Sequence, residues 1–278
     1  MRYLLSLALC VLTLFLMASA RADEMLSFGV FPNLSARAIV TLYQPVQAHL
    51  EKALHQRVQI QSAPDFRSFV ERTLNREYDV VVIAPHLARL VQREGGFIPL
   101  FGYSQELHAM VVVAKSSTIR SPEDLRGKTI ALPDRLAVMP VLGLHLLRER
   151  GLQAEVDYRL LPAASHSNAA FAVQRGEAQG AIIGSAPFAQ LPEELRGSLH
   201  VIATSESIPN QFILANPSLS AARIEALKKA LLDFAAAPEG KRFFENNGFG
   251  GLKPAADADL KKMEPYARDV QTMLKSRP

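Results

Sequence analysis

Three histidines are the side chains of this sequence best suited to chemistry near neutral pH. His86, His108 and His166 each stand where a predicted strand gives way to a helix or where a strand begins after a hinge. An imidazole at such a place can donate to an anion, bind a metal or act as a general base. The spacing of the three fits no metal motif, although folding can bring them together.

Other catalytic signatures are missing from the sequence. It contains no G-x-S-x-G elbow and no H-E-x-x-H pair, and its single cysteine, Cys10, lies in an apolar N-terminal run. Lys and Arg number 31 against 27 Asp and Glu, and they form no basic stripe with interleaved aromatics, which argues against nucleic acid. We therefore expect a protein that binds a small molecule, without catalytic residues, metal or cofactor.

Short apolar runs alternate with helical spacings, and this predicts an α/β protein. Strands are predicted at 25–31, 58–60 and 80–83, the last with β-branched residues on both faces, as in a buried parallel sheet. Apolar residues at intervals of three and four, from Ile39 to Ala53, predict an amphipathic helix between the first two strands. Strand–helix–strand order at these lengths predicts right-handed crossovers.

A second series of elements begins near residue 107. Ser121, Pro122 and Asp124 fit a capping box with proline at the first helical position. Strands are predicted at 110–114, 129–132, 156–160, 181–183 and 199–203. Helices are predicted at 141–150, 169–175, 220–236, 241–246 and 257–275.

Residues 69–90 and 171–191 follow the same pattern of helix, charged turn, apolar strand and an Ala-Pro pair that opens a new helix. Chance similarity is one explanation. The other is two lobes, each a mostly parallel sheet flanked by helices, with a ligand cleft between them at the C-terminal ends of the strands. Hinge crossings are then expected near 103–107 and 205–210. Lobe 1 would comprise 23–104 plus 207–278, and lobe 2 would comprise 105–206.

Position in this scheme selects the first candidate cleft residues. Phe31 ends a strand, Pro85 and His86 open a helix, Ser185 precedes the second Ala-Pro pair, and Gln211 lies at the second hinge. Helix N-termini at such an edge favour an anionic ligand. Alternatives remain open: ordinary core for Phe31, a surface position for His86, and bonding to the hinge backbone for Gln211.

Seven short segments occur in an order and at a spacing that together are typical of one protein family. They are Phe28-Gly29-Val30-Phe31-Pro32, Ala63-Pro64-Asp65-Phe66, Tyr78-Asp79-Val80-Val81, 121–128, Ser165-His166, Gly176-Glu177-Ala178 and Ile208-Pro209. Together they resemble the phosphonate/phosphite-binding proteins of ABC importers, which are type II periplasmic binding proteins. The likeness covers nearly the whole chain after its N-terminal apolar run. It implies two lobes that close around a small ligand, most naturally an oxyanion.

The expected ligand contacts depart from that family's pattern. The family's Asp-Tyr is here Asp65-Phe66, and its Ser-Thr-Ser-Gly cradle is replaced by 132–137, which contains no Ser or Thr. Arg135 in that stretch either supplies charge-assisted bonds to an oxyanion or is a solvated surface residue. Ala186 and Gln211 stand where some relatives place acids opposite an amino group, so an amine-bearing ligand is not expected.

His166 matches a contact position of the family. Its imidazole would donate to an anion better when protonated, and the alternative is a histidine that caps the following helix. His108 lies near a further family contact. The resemblance and the positions together predict ligand binding by Phe31, Asp65, Phe66, Pro85, His86, His108, Arg135, Ser165, His166, Ser185 and Gln211.

The N-terminus has the features of a secretory signal peptide. Arg2 precedes an apolar run at 4–17, and cleavage is possible after Ala20 or, as we favour, after Ala22. A membrane anchor is the less favoured alternative, because a spanning helix needs about 20 apolar residues. We expect a periplasmic monomer whose partners are a small ligand and an ABC permease or, alternatively, a membrane sensor kinase.

Overall fold

The computed structural model describes residues 25–276, and the predicted signal peptide lies outside them. No helix in this range is long and apolar enough to cross a membrane. The first elements are β1 (Leu26–Val30), α1 (Ala36–Leu54), β2 (Val58–Gln61), α2 (Phe66–Leu74), β3 (Val80–Ile83), α3 (Pro85–Gly95), β4 (Ile98–Tyr103), β5 (Glu106–Leu107), β6 (Ala109–Ala114), a 3₁₀ turn (Pro122–Leu125), β7 (Thr129–Leu132) and α4 (Val138–Glu149). The remaining elements are β8 (Arg159–Pro162), α5 (His166–Gln174), β9 (Gly180–Gly184), α6 (Ser185–Ala189), α7 (Glu193–Gly197), β10 (Leu199–Thr204), β11 (Ile208–Pro209), β12 (Phe212–Ala215), α8 (Ala221–Ala236), α9 (Pro238–Asn246), β13 (Leu252–Pro254), α10 (Asp257–Lys262) and α11 (Glu264–Lys275).

The first sheet has six strands in the order β13-β4-β12-β3-β1-β2. The strand β1 pairs in parallel with both β2 and β3, and all four residues of β3 are buried. The chain moves from β1 outward to β2 and then back past β1 to β3. Right-handed crossovers in these two directions place α1 and α2 on opposite faces of the sheet. We call this sheet with its helices lobe 1.

The second sheet has five strands in the order β10-β6-β9-β7-β8, and with its helices it forms lobe 2. The run β6-β9-β7-β8 has the same order and strand directions as β12-β3-β1-β2 in lobe 1. The internal echo in the sequence therefore corresponds to two lobes of like architecture.

Both sheets are mixed instead of mostly parallel. The strands β12 and β6 are antiparallel to β3 and β9, respectively. Each enters its sheet directly from the hinge, beside the end of the strand it pairs with, and so must run in the opposite direction.

A two-stranded ribbon joins the lobes. Leu107 of β5 pairs with Ile208 of β11, and Glu106 pairs with Pro209, in antiparallel register. The chain crosses between the sheets at these two short strands, within the ranges where the sequence predicts hinges. The ribbon leaves the lobes connected by two neighbouring backbone strands.

Two predicted elements differ from the structure. The strand predicted at 156–160 begins only at Arg159, because Glu155 has a positive φ of 63° and Val156 is 73% exposed in a turn. The helix predicted at 257–275 is interrupted at Met263, which separates α10 from α11. Pro265 lies in the first turn of α11 and has no N–H for the carbonyl of a preceding turn, so it cannot continue α10.

The last helix, α11, contacts both lobes. Its first residue, Glu264, accepts hydrogen bonds from Arg89 at 2.7 Å and Arg93 at 2.6 Å, both on α3 of lobe 1. Five residues further along, Asp269 lies 3.2 Å from the ring of His145 and 2.7 Å from Arg148, both on α4 of lobe 2. The helix is therefore an ionic connection between the lobes, separate from the hinge.

The C-terminal end of α11 is held by an arginine of lobe 1. The guanidinium of Arg67 donates to the carbonyl of Leu274, to that of Met273 at 3.1 Å and to that of Ser276 at 3.4 Å. The last carbonyls of a helix have no partner within the helix, so a cation at this end satisfies them and complements the helix dipole. This interaction brings the end of α11 beside the start of α2.

The hydrogen bonds of Glu264 to α3 should make the stability of the protein depend on pH, and replacing Glu264 should remove that dependence. Hydrogen bonds, chiefly from Arg89, lower the pKa of Glu264 from 4.5 to about 2. Since the lowered pKa belongs to the folded state, the stabilisation is present above pH 4.5 and lost as the pH falls toward 2. At neutral pH, Glu264→Gln should lower the melting temperature by about 3–6 °C in calorimetry. The difference from wild type should shrink as the pH falls through this window.

Glu245→Gln is the matched control, because Glu245 is an exposed carboxylate on α9. It should change the melting temperature by less than about 2 °C. Equal losses for the two variants at neutral pH would contradict the assignment of a special role to Glu264.

Candidate functional site between the lobes

Three of the predicted contact residues lie at the ends of β1 and β2. Phe31 continues from β1, and its N–H donates to the carbonyl of Val82 at 3.1 Å. The rings of Phe31 and Phe66 are 6.1 Å apart between centroids, and both are buried. The carboxylate of Asp65 accepts from the N–H of Ser68 at 2.7 Å and so caps α2, as predicted. This part of the edge is an apolar wall beside a helix cap.

Three further predicted residues lie on the same edge of lobe 1. Pro85 and His86 begin α3 directly after β3, and both are buried. Phe212 of β12 pairs with Ile83, the last residue of β3. Gln211, one residue before Phe212, therefore lies beside the start of α3. All six predicted residues of lobe 1 lie on the edge where the parallel strands end.

The corresponding edge of lobe 2 carries the other five predicted residues. The N–H of Ser185 donates to the carbonyl of His108 at 3.0 Å, and its hydroxyl accepts from the His108 N–H at 3.4 Å. These two contacts join the start of β6 to the end of β9. Arg135 is exposed in the loop after β7. The short helix after β9 begins at Ser185, so Pro187 is its third residue and not its first.

Ser165 and His166 follow β8 on the same edge. Ser165 is the N-cap of α5, and its hydroxyl accepts from the N–H of Asn168 at 3.1 Å. The alternative in which His166 caps this helix is therefore wrong, because Ser165 does so. The imidazole of His166 is left for another role.

The two edges face each other. The Nε2 atom of His86 in lobe 1 lies 2.9 Å from the carbonyl oxygen of Leu136 in lobe 2. Beside this contact is a cavity of about 740 Å³. Arg67 lines it from lobe 1, Arg135 from lobe 2 and Met273 from α11. Of the predicted contact residues, Arg135 lines this cavity directly, and His86 is connected to it through its bond to Leu136, which also lines it.

Of the twelve residues that line this cavity, Arg135 is the one that the sequence-based prediction of contacts includes, and Arg67, Met273 and Ser276 are among the eleven that it misses. Arg67 directly follows Asp65 and Phe66, so its proximity to that pair was a usable signal. Met273 and Ser276 are distant in sequence and reach the cavity only because α11 packs across both lobes, for which the sequence carries no local signal.

His86 is a neutral imidazole between the lobes. Its burial lowers the pKa to about 4, although the Leu136 carbonyl opposes part of that effect. A carbonyl oxygen can only accept, so Nε2 carries the hydrogen and donates to it. The other ring nitrogen, Nδ1, is buried and has no hydrogen-bond partner among the described residues.

His166 has a similar character on the opposite edge. Burial lowers its pKa to about 4, with a smaller opposing effect of the backbone at Ile182. At neutral pH the ring is therefore uncharged, and the prediction that it contacts the ligand is one of a neutral imidazole. Its Nδ1 is also buried without a partner in the described part of the chain.

Gln211 adds a third buried polar group to the edge of lobe 1. Its side chain is 2% exposed and lies close enough to Tyr43 to lower the pKa of that hydroxyl slightly, but its Nε2 has no partner at full hydrogen-bond geometry among residues 25–276. The hydroxyl groups of Tyr43 and Tyr103 lie nearby, 3.3 Å apart, and burial raises the pKa of both. The tyrosines belong to the packed interior of lobe 1, where Tyr43 contacts Phe243 edge to face.

The described residues contain no group of three His, Cys, Asp or Glu side chains placed to hold a metal ion. His86, His108 and His166 are thus not gathered with other such ligands into a metal site. The predicted contact residues present imidazole, amide, hydroxyl and guanidinium groups and the Asp65 carboxylate, and the cavity is lined in addition by Arg67 and by the carboxylate of Asp134.

Comparison with known proteins agrees with this architecture. Solved structures similar to this one include XAC2383 from Xanthomonas citri bound to chloride ion, with a TM-score of 0.81 and 18% identity over 91% of this chain and 100% of that chain. PhnD1 from Prochlorococcus marinus in complex with methylphosphonate has a TM-score of 0.77 and 12% identity over 90% of this chain and 99% of that chain. At these identities the likeness establishes the fold, which is that of a type II periplasmic binding protein.

The sequence itself defines the family. The model of the family described as ABC transporter, phosphonate, periplasmic substrate-binding protein matches residues 28–260. A phosphonates-binding periplasmic protein of Escherichia coli (strain K12) is 23% identical over 267 residues, 88% of this chain and 77% of that protein. The chain belongs to the phosphonate substrate-binding family of ABC transporters. The family description is that of a transport component.

The two cleft imidazoles should remain neutral well below neutral pH. We expect His86 and His166 to titrate with pKa values of about 4 in NMR spectra, against about 6.5 for histidine in an unstructured peptide. Since the unfolded chain takes up these protons more readily, the two residues should reduce stability as the pH falls from about 6.5 to about 4. His86→Gln and His166→Gln assign the signals. An imidazolium signal from either residue at pH 6 would contradict the burial argument.

Proposed function

We propose that this protein is a periplasmic solute-binding protein that takes up a small phosphorus oxyanion between its lobes and delivers it to an ABC permease. The observation that carries the proposal is that the predicted contact residues lie on two strand edges that face each other, with His86 bonded across the gap. Membership of the family supplies the class of ligand and of partner.

The edges favour an anion. The helices α3 and α5 begin there, so the partial positive charge of their N-termini is directed at the gap. Arg135 and Arg67 add two positive charges at the cavity, against the one carboxylate of Asp134 that also lines it. No carboxylate is among the residues predicted to contact the ligand except Asp65, whose oxygen atoms are used in capping α2. A ligand with an amino group would find no obvious counter-ion in this set.

Ligand binding would involve movement of the lobes about the β5–β11 ribbon. We place the lobe boundaries between residues 104 and 105 and between 206 and 207, on either side of that ribbon. A ribbon of two short strands can absorb rotation without disturbing either sheet. The protein would act as a monomer after removal of residues 1–22. A role in signalling to a sensor kinase has no comparable observation in its favour.

Binding measurements with the purified protein test this proposal. Methylphosphonate, phosphite and phosphate are compared in calorimetry and by thermal shift. A ligand at about 100 times its Kd should raise the melting temperature by about 5–10 °C. Arg135→Ala should weaken the affinity at least about tenfold, since a charge-assisted bond is removed. Binding of uncharged ligands only would contradict the proposal.

Arg159→Ala is the matched control for Arg135→Ala. Arg159 is an exposed arginine at the start of β8, the end of the strand remote from the cleft. Its replacement removes the same charge from the same lobe and should leave the affinity unchanged. Equal losses for both variants would show that Arg135 acts only through net charge.

A further inference from the structure

The hydrogen bond between His86 and Leu136 fixes which ring nitrogen carries the proton. The carbonyl oxygen 2.9 Å from Nε2 has no hydrogen to donate, so Nε2 is the donor. In a neutral imidazole the other nitrogen then has a bare lone pair. Nδ1 of His86 can therefore accept a hydrogen bond and cannot donate one.

This acceptor is buried without a partner. The residue is 0% exposed, and no donor among residues 25–276 bonds to Nδ1. Buried polar atoms in folded proteins are nearly always paired, because an unpaired one loses its bond to water without compensation. His86 lies where the lobes meet, so the missing donor is most simply a group that enters the cleft from outside.

A second buried imidazole nitrogen without a partner is present on the opposite edge. Nδ1 of His166 in lobe 2 is also buried without a partner among the described residues. Each edge thus carries a buried imidazole nitrogen without a partner, and residues 132–137 lack the hydroxyl donors of the family pattern. A fully ionised dianion has oxygen lone pairs only, and it would place them against the lone pair of His86 without a hydrogen between.

We infer that the cleft selects a protonated oxyanion, a phosphonate monoanion whose P–OH group donates to Nδ1 of His86, and that it rejects sulfonates for lack of that proton. This inference rests on the proposed function. A phosphonate monoanion and a sulfonate have the same charge and nearly the same tetrahedral shape. Net charge and cavity size therefore cannot separate them, whereas a bare lone pair can. His86 is assigned as a specificity-determining residue.

Methylphosphonate and methanesulfonate form the matched ligand pair. A phosphoryl group loses its second proton with a pKa of about 6, so calorimetry at about pH 5 compares two monoanions. The wild-type protein should bind methylphosphonate at least about tenfold more tightly, since the sulfonate leaves Nδ1 unpaired. This comparison requires no variant and is independent of any effect of mutation on folding.

Two variants locate the selectivity at His86. His86→Gln keeps an amide nitrogen that can donate to the Leu136 carbonyl but has no atom at the Nδ1 position, so the preference for methylphosphonate should fall to within about threefold. His86→Asn places an amide at the Nδ1 position that can rotate to donate. Its affinity for methanesulfonate should rise above that of the wild type. His200→Gln, at an exposed histidine of β10, should change neither ligand's affinity.

The outcomes separate the inference from the proposed function. Equal affinity of the wild type for both ligands, or a preference for methanesulfonate, would overturn the inference and leave an oxyanion-binding protein. A wild-type preference that both His86 variants retain would also overturn it, and a bound water would then be the partner of Nδ1. Absence of binding by methylphosphonate, phosphite, phosphate and methanesulfonate would defeat the proposed function and the inference with it.

Discussion

The hydrogen bond from His86 Nε2 to the Leu136 carbonyl connects lobe 1 to lobe 2 at the edges where the parallel strands of both sheets end. It puts an ionisable side chain of lobe 1 against the backbone of lobe 2 and removes it from water. Burial then keeps the ring neutral, and the carbonyl decides which nitrogen carries the single hydrogen. In the proposed binding mode the chemical character of the cleft follows from this one contact, because it leaves the lone pair of Nδ1 for a ligand to meet.

That contact depends on how the lobes are held. The β5–β11 ribbon alone would allow many relative orientations, since it consists of two strands of two residues each. The helix α11 restricts them, with Glu264 bound to α3 and Asp269 bound to α4. Any opening of the cleft must either carry α4 along with α11 or break the ion pairs of Asp269. Partly exposed pairs are weak, so they can stabilise one orientation without locking it.

Local patterns predicted most of the elements, and the echo between 69–90 and 171–191 predicted the paired architecture. Helices such as α1 and strands such as β3 follow directly from apolar spacing, because each buries one face or both against a sheet. The residues on the two cleft edges were predictable as well, because apolar spacing also marks where a strand ends and where the next helix begins. Where the sequence failed, long-range packing decided: β4 and β12 are identified only by their pairing, and α11 reaches the cavity through contacts with both lobes.

The protonation of the histidines is the part of the site that spacing cannot indicate. An imidazole at a helix start is equally consistent with a cation for an anionic ligand and with a neutral acceptor, and the difference is decided by burial and by one carbonyl group. Phe66 and residues 132–137 also favour a ligand that carries its own proton, because they lack the hydroxyl donors that the family pattern would place around the ligand. Compared with the family pattern, this cleft has fewer hydrogen-bond donors and more acceptors. That difference changes which protonation form of the oxyanion fits, while the fold and the charge of the cleft stay the same. The selection among tetrahedral anions then depends on the proton that the ligand itself brings.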